Sequence, residues 1–183
     1  FPSLVVGIHC HNDGGLAVAD SVAAVCAGAR HIQGTFLGFG ERCGNANLST
    51  IICNLQLKCG YLCLPAENMQ KIYECAMTIA ETANIAVPQN EPYIGMNAFA
   101  HKAGMHADGV LKCANSFEHV DPAVIGNKRR FLLSEISGKS AIYDKIKNYF
   151  PKVDKNGREM AIIAEELKNL AVQGYQFEAA EAS

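Results

Sequence analysis

Two histidines separated by one residue follow an apolar stretch near the start of the chain. His9 and His11 come directly after residues 4–8, a run typical of a buried strand. Residues two apart on a strand point to the same face, so the two imidazoles converge. Such a pair suits a divalent transition metal. The alternative is two core histidines bonded to backbone carbonyls; the Asn-Asp-Gly-Gly that follows favours the metal.

A glycine-rich loop follows the next predicted strand. The loop covers residues 38–47 and runs directly into a predicted helix. Glycines let the backbone approach a ligand closely, and a helix N-terminus offers unpaired N–H groups. In α/β proteins, ligands bind at the carboxyl ends of the strands. We therefore expect this loop and the histidine pair to share one site.

Hydrophobic periodicity predicts a strand–helix–strand beginning followed mainly by helices. Two strands separated by a helix form a βαβ unit, for which parallel pairing is the default. A segment rich in proline and polar residues, 87–92, then interrupts the pattern. The predicted strands are Leu4–His9 and Ile32–Leu37, and the predicted helices are Leu16–Ala29, Leu48–Cys59, Pro65–Asn84, Asn97–Cys113 and Arg158–Gln173, with a further amphipathic helix that carries Ile142 and Ile146.

Composition narrows the class of protein. Of the 183 residues, 49% are hydrophobic, and the formal net charge is -2, so we expect no nucleic-acid or anionic-membrane partner. No apolar run is long enough to span a bilayer, and no signal peptide is found. The eight cysteines lie mostly in apolar segments, which predicts reduced thiols and a cytoplasmic protein. Both chain ends indicate a piece of a longer protein.

Three ordered motifs resemble those of one enzyme family. The stretch at 9–19, His-Cys-His-Asn-Asp-Gly-Gly-Leu-Ala-Val-Ala, is similar to the H-x-H-N-D-x-G-L-A-V-A motif of the 2-isopropylmalate, homocitrate and citramalate synthases. Residues 40–46 resemble their G-E-R-x-G-N-A motif, and residues 98–109 resemble their A-F-x-H-x-x-G-x-H-x-D-G segment. Shorter phrases at 117–122, 126–130 and 174–178 are most similar to the citramalate synthase branch.

The resemblance implies an α/β fold. The chain would hold the last two βα units of a (β/α)8 barrel over residues 1–87, a mostly helical linker subdomain over 88–174, and the start of a regulatory domain at 175–183. A whole barrel needs about 250 residues. The family's catalytic arginine and acidic metal ligand lie on the first strand, which this chain lacks. We therefore expect the isolated chain to be inactive.

The resemblance also implies a reaction. The family condenses acetyl-CoA with a 2-oxo acid and then hydrolyses the thioester; the branch similarity predicts pyruvate as the acceptor, citramalate as the product and a role in isoleucine and leucine biosynthesis. His9, His11 and Asn45 would bind the metal. The mixed nitrogen and oxygen ligands fit Zn²⁺, Mn²⁺ or Mg²⁺.

Four further residues receive roles. By resemblance, His106 would act as an acid, base or water activator from the partner subunit of a homodimer; without the resemblance it is a polar helix-surface histidine. Asp13 would either orient an imidazole or cap the following helix. Glu41 and Arg42 would form an ion pair that shapes their loop.

Other interpretations of the chain's function stay open. Within the family, the alternatives are 2-isopropylmalate synthase and homocitrate synthase. A second class is a carbon–carbon lyase of the hydroxymethylglutaryl-CoA type on a similar barrel. A third class is a non-catalytic assembly or effector-binding piece. The joint presence of His9, His11, Asn45 and His106 favours catalysis.

Overall fold

The fold is mixed α/β, with two short sheets and five α-helices whose bounds both lie in the part of the chain described by the computed structural model. That part comprises residues 3–101, 109–110, 113, 117–131, 142–143, 146–147 and 149–175. The elements in chain order are β1 (Gly7–His9), α1 (Ala17–Cys26), β2 (His31–Gln33), α2 (Leu48–Leu57), α3 (Ala66–Met69), α4 (Ile72–Thr82), β3 (Ala100–His101), β4 (Arg130–Phe131) and α5 (Arg158–Val172).

The chain divides into two compact units. The first contains Phe1–Ala98 and Pro122–Lys128, and the second contains Phe99–Asp121 and Arg129–Ser183. In the first unit β1 and β2 pair in parallel, and α1 connects them. The predicted βαβ unit is therefore confirmed.

Both strands are shorter than predicted. The predicted first strand began at Leu4, but pairing begins at Gly7, and Leu4 and Val5 are exposed because no strand among the described residues covers them. The second strand leaves the sheet after Gln33, because the chain turns at Leu37, where φ is 58°.

A core cluster of the first unit lies between α1, α2 and the sheet. Ala17 of α1 and Ile51 and Leu55 of α2 are buried together with Ala46. Ile32 of β2 packs against them, so alternate residues of the strand face the helices. The helix α2 begins at a side-chain cap, in which Asn47 accepts a hydrogen bond from the backbone N–H of Ser49 at 3.1 Å.

One predicted helix is divided in two. The sequence pattern predicted a single helix over 65–84, but α3 ends at Met69 and α4 begins at Ile72. The intervening Lys71 donates its backbone N–H to Asn68, three residues back, so the chain makes a tighter turn there. This turn buries both Met69 and Ile72, each 2% exposed, which explains why their spacing fitted a helical face.

The second unit contains a strand where a helix was predicted. Residues 97–113 were predicted to be helical, but Ala100 and His101 form β3, which pairs in parallel with β4. The backbone N–H of Arg130 also bonds the carbonyl of Phe99 at 2.9 Å. This pairing joins residues about thirty positions apart, so the hydrophobic periodicity of neighbouring residues could not predict it. Residues 109 and 110 are helical, and 102–108 lie outside the described residues.

The last helix packs as its periodicity predicted. Met160 and Ala164 of α5 are buried with Ile142, and Ile163 and Leu167 lie against them. Among the described residues, no helix combines the length and apolar character needed to cross a bilayer.

We predict that Ile51→Ala destabilises the first unit by about 2–5 kcal/mol, because it empties a fully buried position. The matched control is Ile85→Ala, which removes the same atoms from a side chain that is 45% exposed. The free energy of unfolding from urea titrations measures both losses. Equal losses for the two variants would contradict the assignment of the core.

Candidate functional site

The predicted metal ligands come together where β1 and β2 end. His11 and Asn45 form an isolated antiparallel bridge, so their backbones are direct neighbours. Two hydrogen bonds flank this bridge: the N–H of Asn12 donates to Gly44 at 2.8 Å, and the N–H of Ala46 donates to Cys10 at 2.9 Å. The loops after the two strands are therefore held together by their backbones.

The two histidine rings lie side by side. The ring centroids of His9 and His11 are 5.3 Å apart, and the planes are inclined by 61°. Both residues are exposed in this chain, so they are not core histidines bonded to backbone carbonyls. The Nδ1 atom of His9 lies 3.2 Å from Oε1 of Gln33, a contact that sequence reasoning missed.

Asn45 presents a buried oxygen without a protein partner. Its Nδ2 donates to the carbonyl of Phe39 at 3.0 Å, which orients the amide. Its Oδ1 is buried and has no hydrogen-bond partner among the described residues. Leaving such an acceptor unsatisfied costs about 1–3 kcal/mol. A ligand that accepts electrons from this oxygen would remove that cost.

The residues fit a divalent metal. Two imidazoles and an amide oxygen give a mixed nitrogen and oxygen donor set, which suits Zn²⁺, Mn²⁺ or Mg²⁺. No group of three His, Cys, Asp or Glu side chains in the described part of the chain is arranged for a metal. His9, His11 and Asn45 would therefore supply only part of a coordination shell.

One of the left-handed positions in the glycine-rich loop leaves no room for a side chain. Gly44 has φ +86°, and a Cβ atom there would lie 2.0 Å from the carbonyl oxygen of Gly38. No other residue fits this position without displacing the loop. The glycine immediately before Asn45 thus fixes where the amide points.

An ion pair joins the two loops above the candidate ligands. The guanidinium of Arg42 donates to both carboxylate oxygens of Asp13, each at 2.8 Å. Its contact with Glu41 is longer, at 3.9 Å. Arg42 therefore pairs mainly with Asp13 rather than with Glu41. The hydrogen bond from Arg42 holds the pKa of Asp13 below its usual range.

Asn12, not Asp13, makes the contact with the following helix. The backbone N–H of Ala17, the first residue of α1, donates to Oδ1 of Asn12 at 3.3 Å. Asn12 thus satisfies one free N–H at the start of α1, although the N-cap residue itself is Leu16 and has no side-chain cap. The pairing with Arg42 leaves Asp13 as a link between the loops that carry His11 and Asn45.

A cavity of about 810 Å³ lies beside the Asn45 loop, between α1 and α2. Its lining includes Asn45 and Thr50, whose buried Oγ1 also lacks a hydrogen-bond partner among the described residues. Glu91 closes part of it and accepts a hydrogen bond from Nδ2 of Asn47 at 2.6 Å. Burial raises the pKa of Glu91, although this hydrogen bond opposes the rise.

His106 lies outside the described residues, and its catalytic role stays a prediction. His101 is described: its Nε2 lies 2.9 Å from the carboxylate of Glu118, whose side chain is 2% exposed. Arg129 donates to the same carboxylate at 2.6 Å. This hydrogen bond is the main reason that the pKa of Glu118 lies below its usual range.

We predict that Arg42→Met raises the pKa of Asp13 towards its usual value, because the variant loses both donated hydrogen bonds. Since the pKa is lower in the folded state, the pair stabilises the protein at neutral pH, and this contribution is lost as the pH falls through the folded pKa. NMR titration of the Asp13 carboxyl carbon measures the change. Arg30→Met is the control, and an equal pKa in all three proteins would refute the pairing.

Two family models match consecutive parts of the chain. The model described as HMGL-like matches residues 2–79, and the model described as homocitrate synthase post-HMGL domain-like matches residues 93–175. Their order confirms the predicted fold class, the last βα units of an α/β barrel followed by a mostly helical region.

Curated relatives match nearly the whole chain. The "(R)-citramalate synthase" of Aquifex aeolicus (strain VF5) is 48% identical over 183 residues, which are 100% of this chain and 35% of the relative. That of Synechocystis sp. is 46% identical over 178 residues, 97% of this chain and 32% of the relative. The "2-isopropylmalate synthase" of Lactococcus lactis is 38% identical over 172 residues, which are 92% of this chain and 33% of the relative.

The chain thus spans about a third of the length of these relatives. The residues that the two family models match include all three motifs and the loops that hold His9, His11 and Asn45. The chain belongs to the family of the 2-isopropylmalate, homocitrate and citramalate synthases.

Proposed function

We propose that the full-length protein containing this chain is a metal-dependent acyltransferase. It condenses acetyl-CoA with a 2-oxo acid, namely pyruvate, and so makes citramalate for branched-chain amino acid biosynthesis in the cytoplasm. The observation that carries the proposal is the backbone bridge between His11 and Asn45, because it joins a residue whose ring lies next to that of His9 to one whose buried Oδ1 has no hydrogen-bond partner among the described residues. The names of the relatives support the choice of product.

The candidate site provides what the condensation requires of a metal centre. When bound, a divalent cation withdraws charge from the keto oxygen of the 2-oxo acid. His9, His11 and Asn45 would hold the cation, and the chemistry of these donors allows Zn²⁺, Mn²⁺ or Mg²⁺. Asp13 and Arg42 keep the two ligand-bearing loops at a fixed separation, which preserves the geometry between the donors.

The remaining chemistry needs a base and a second subunit. A methyl proton next to the thioester must be removed, and His106 is the residue we propose for proton transfer or water activation. In this proposal His106 reaches the site from the partner subunit of a homodimer. Residues 1–87 are then the barrel part, residues 88–174 the linker subdomain, and residues 175–183 the start of a regulatory domain.

The isolated chain is proposed to be inactive. The arginine and the carboxylate that the family places on its first strand are not among these residues, so part of the proposed catalytic machinery is absent from them. The chain's own contribution is therefore the imidazole and amide side of the site.

A second candidate within the family is 2-isopropylmalate synthase, which the relative at 38% identity favours. It differs in the 2-oxo acid rather than in the metal ligands. The alternative function as a carbon–carbon lyase has weaker support. The match to the homocitrate synthase post-HMGL domain extends over residues 93–175, and this match favours the condensing enzymes.

We predict that the full-length protein releases CoA from acetyl-CoA when pyruvate is supplied, and that a chelator abolishes the release. Parallel assays contain 2-oxoisovalerate or 2-oxoglutarate in place of pyruvate. Release only with a bulkier 2-oxo acid would replace the proposed substrate, and no release with any acceptor would overturn the proposed activity.

Matched histidine variants separate the metal site from general damage. His11→Ala should lower kcat/KM by more than about 100-fold, since loss of a metal ligand exceeds the 10–100-fold effect of an outer-shell partner. His119→Ala, outside the candidate site, should retain activity. Equal losses in both variants would argue against a metal role for His11.

A further inference from the structure

Gln33 faces His9 directly across the parallel pair. The register places His9 opposite Gln33, one step beyond Ile8 opposite Ile32. Ile32 packs into the core, so residues 9 and 33 project from the other face of the sheet. Their side chains meet there, with His9 Nδ1 3.2 Å from Gln33 Oε1. The contact follows from strand pairing and needs no loop.

The chemistry of the two atoms favours one position for the proton on the ring. An amide oxygen can only accept a hydrogen bond, so the contact is a hydrogen bond when Nδ1 carries the proton and donates. In a neutral imidazole the other nitrogen, Nε2, then carries the lone pair. A lone pair on Nε2 is what a metal cation requires, because imidazole binds metals in its neutral form.

The other groups around His9 on this face of the sheet are two histidine rings. The ring of His11 packs edge-on against that of His9, with the centroids 5.3 Å apart and the planes inclined by 61°. Two positions earlier on both strands, the register pairs Gly7 with His31, and a Cβ atom at Gly7 would lie 3.1 Å from the His31 ring. The His31 ring therefore occupies the space over Gly7, next to the His9–Gln33 pair on the same face.

We propose that Gln33 is a positioning residue that holds His9 as the Nδ1–H tautomer, with Nε2 available to the metal. The metal part of this inference rests on the proposed function, whereas the tautomer does not. Residues that bind the second nitrogen of a metal-bound histidine fix the orientation of the ring and tune metal affinity. A neutral amide does this without adding a charge to the site.

The tautomer can be measured without any metal. In the full-length protein labelled with ¹⁵N-histidine, long-range ¹H–¹⁵N spectra distinguish a protonated from an unprotonated ring nitrogen. The measurement is made at a pH where the imidazoles are neutral, and His9 is assigned from the spectrum of His9→Asn. We expect a protonated Nδ1 and an unprotonated Nε2 in the wild type, and a shift towards the Nε2–H form in Gln33→Met.

Metal affinity supplies the second readout. Titration calorimetry with Zn²⁺ and with Mn²⁺ should give a Kd raised by about 10–100-fold in Gln33→Met, the range for losing an outer-shell partner. Gln33→Glu keeps an acceptor oxygen and should keep the wild-type tautomer. Gln70→Met, the same substitution at an exposed position in another part of the first unit, should change neither readout.

The outcomes separate this inference from the proposed function. An Nε2–H tautomer in the wild type, or an unchanged tautomer in Gln33→Met, overturns the role of Gln33 whatever the metal does. An altered tautomer with unchanged metal affinity overturns the link between them. A wild-type protein with the expected tautomer that binds neither metal supports the tautomer assignment and overturns the metal-dependent function.

Discussion

The site depends on backbone hydrogen bonds between two loops that follow neighbouring strands. Parallel pairing of β1 and β2 brings the strand ends together, and the bonds from Asn12 to Gly44 and from Ala46 to Cys10 continue that pairing into the loops. Each such bond contributes about 0.5–1.5 kcal/mol. Together they hold the backbones of His11 and Asn45 side by side without any side-chain contact. The candidate metal donors are thus placed by the main chain.

Side-chain contacts then refine what the backbone has placed. Asp13 and Arg42 join the same two loops, but both side chains are about half exposed, so their pairing adds modest stability. Gln33 contacts the ring of His9, and the backbone carbonyl of Phe39 accepts a hydrogen bond that orients the amide of Asn45. In the second unit Glu118 gathers His101 and Arg129 in a similar way, around a carboxylate that is almost fully buried.

The sequence predicted the parts of the site that follow from local patterns. Alternation on a strand placed His9 and His11 on one face, and the shared edge of parallel strands predicted that the glycine-rich loop would join them. Contacts between residues far apart in sequence were not predictable in this way. Arg42 was paired with its neighbour Glu41 rather than with Asp13, and the strand at His101 was taken as helix because its partner lies about thirty residues away. Gln33 was missed because its role depends on the register with β1.

Crystals of the full-length protein grown with Mn²⁺ would test the central claim most directly. Anomalous diffraction near the manganese absorption edge locates the metal independently of any assumed ligand. The account predicts a peak bonded to Nε2 of His9, to a ring nitrogen of His11 and to Oδ1 of Asn45. A metal bound elsewhere, or an Asn45 Oδ1 that accepts a hydrogen bond from a protein donor while both rings remain without metal, would contradict it.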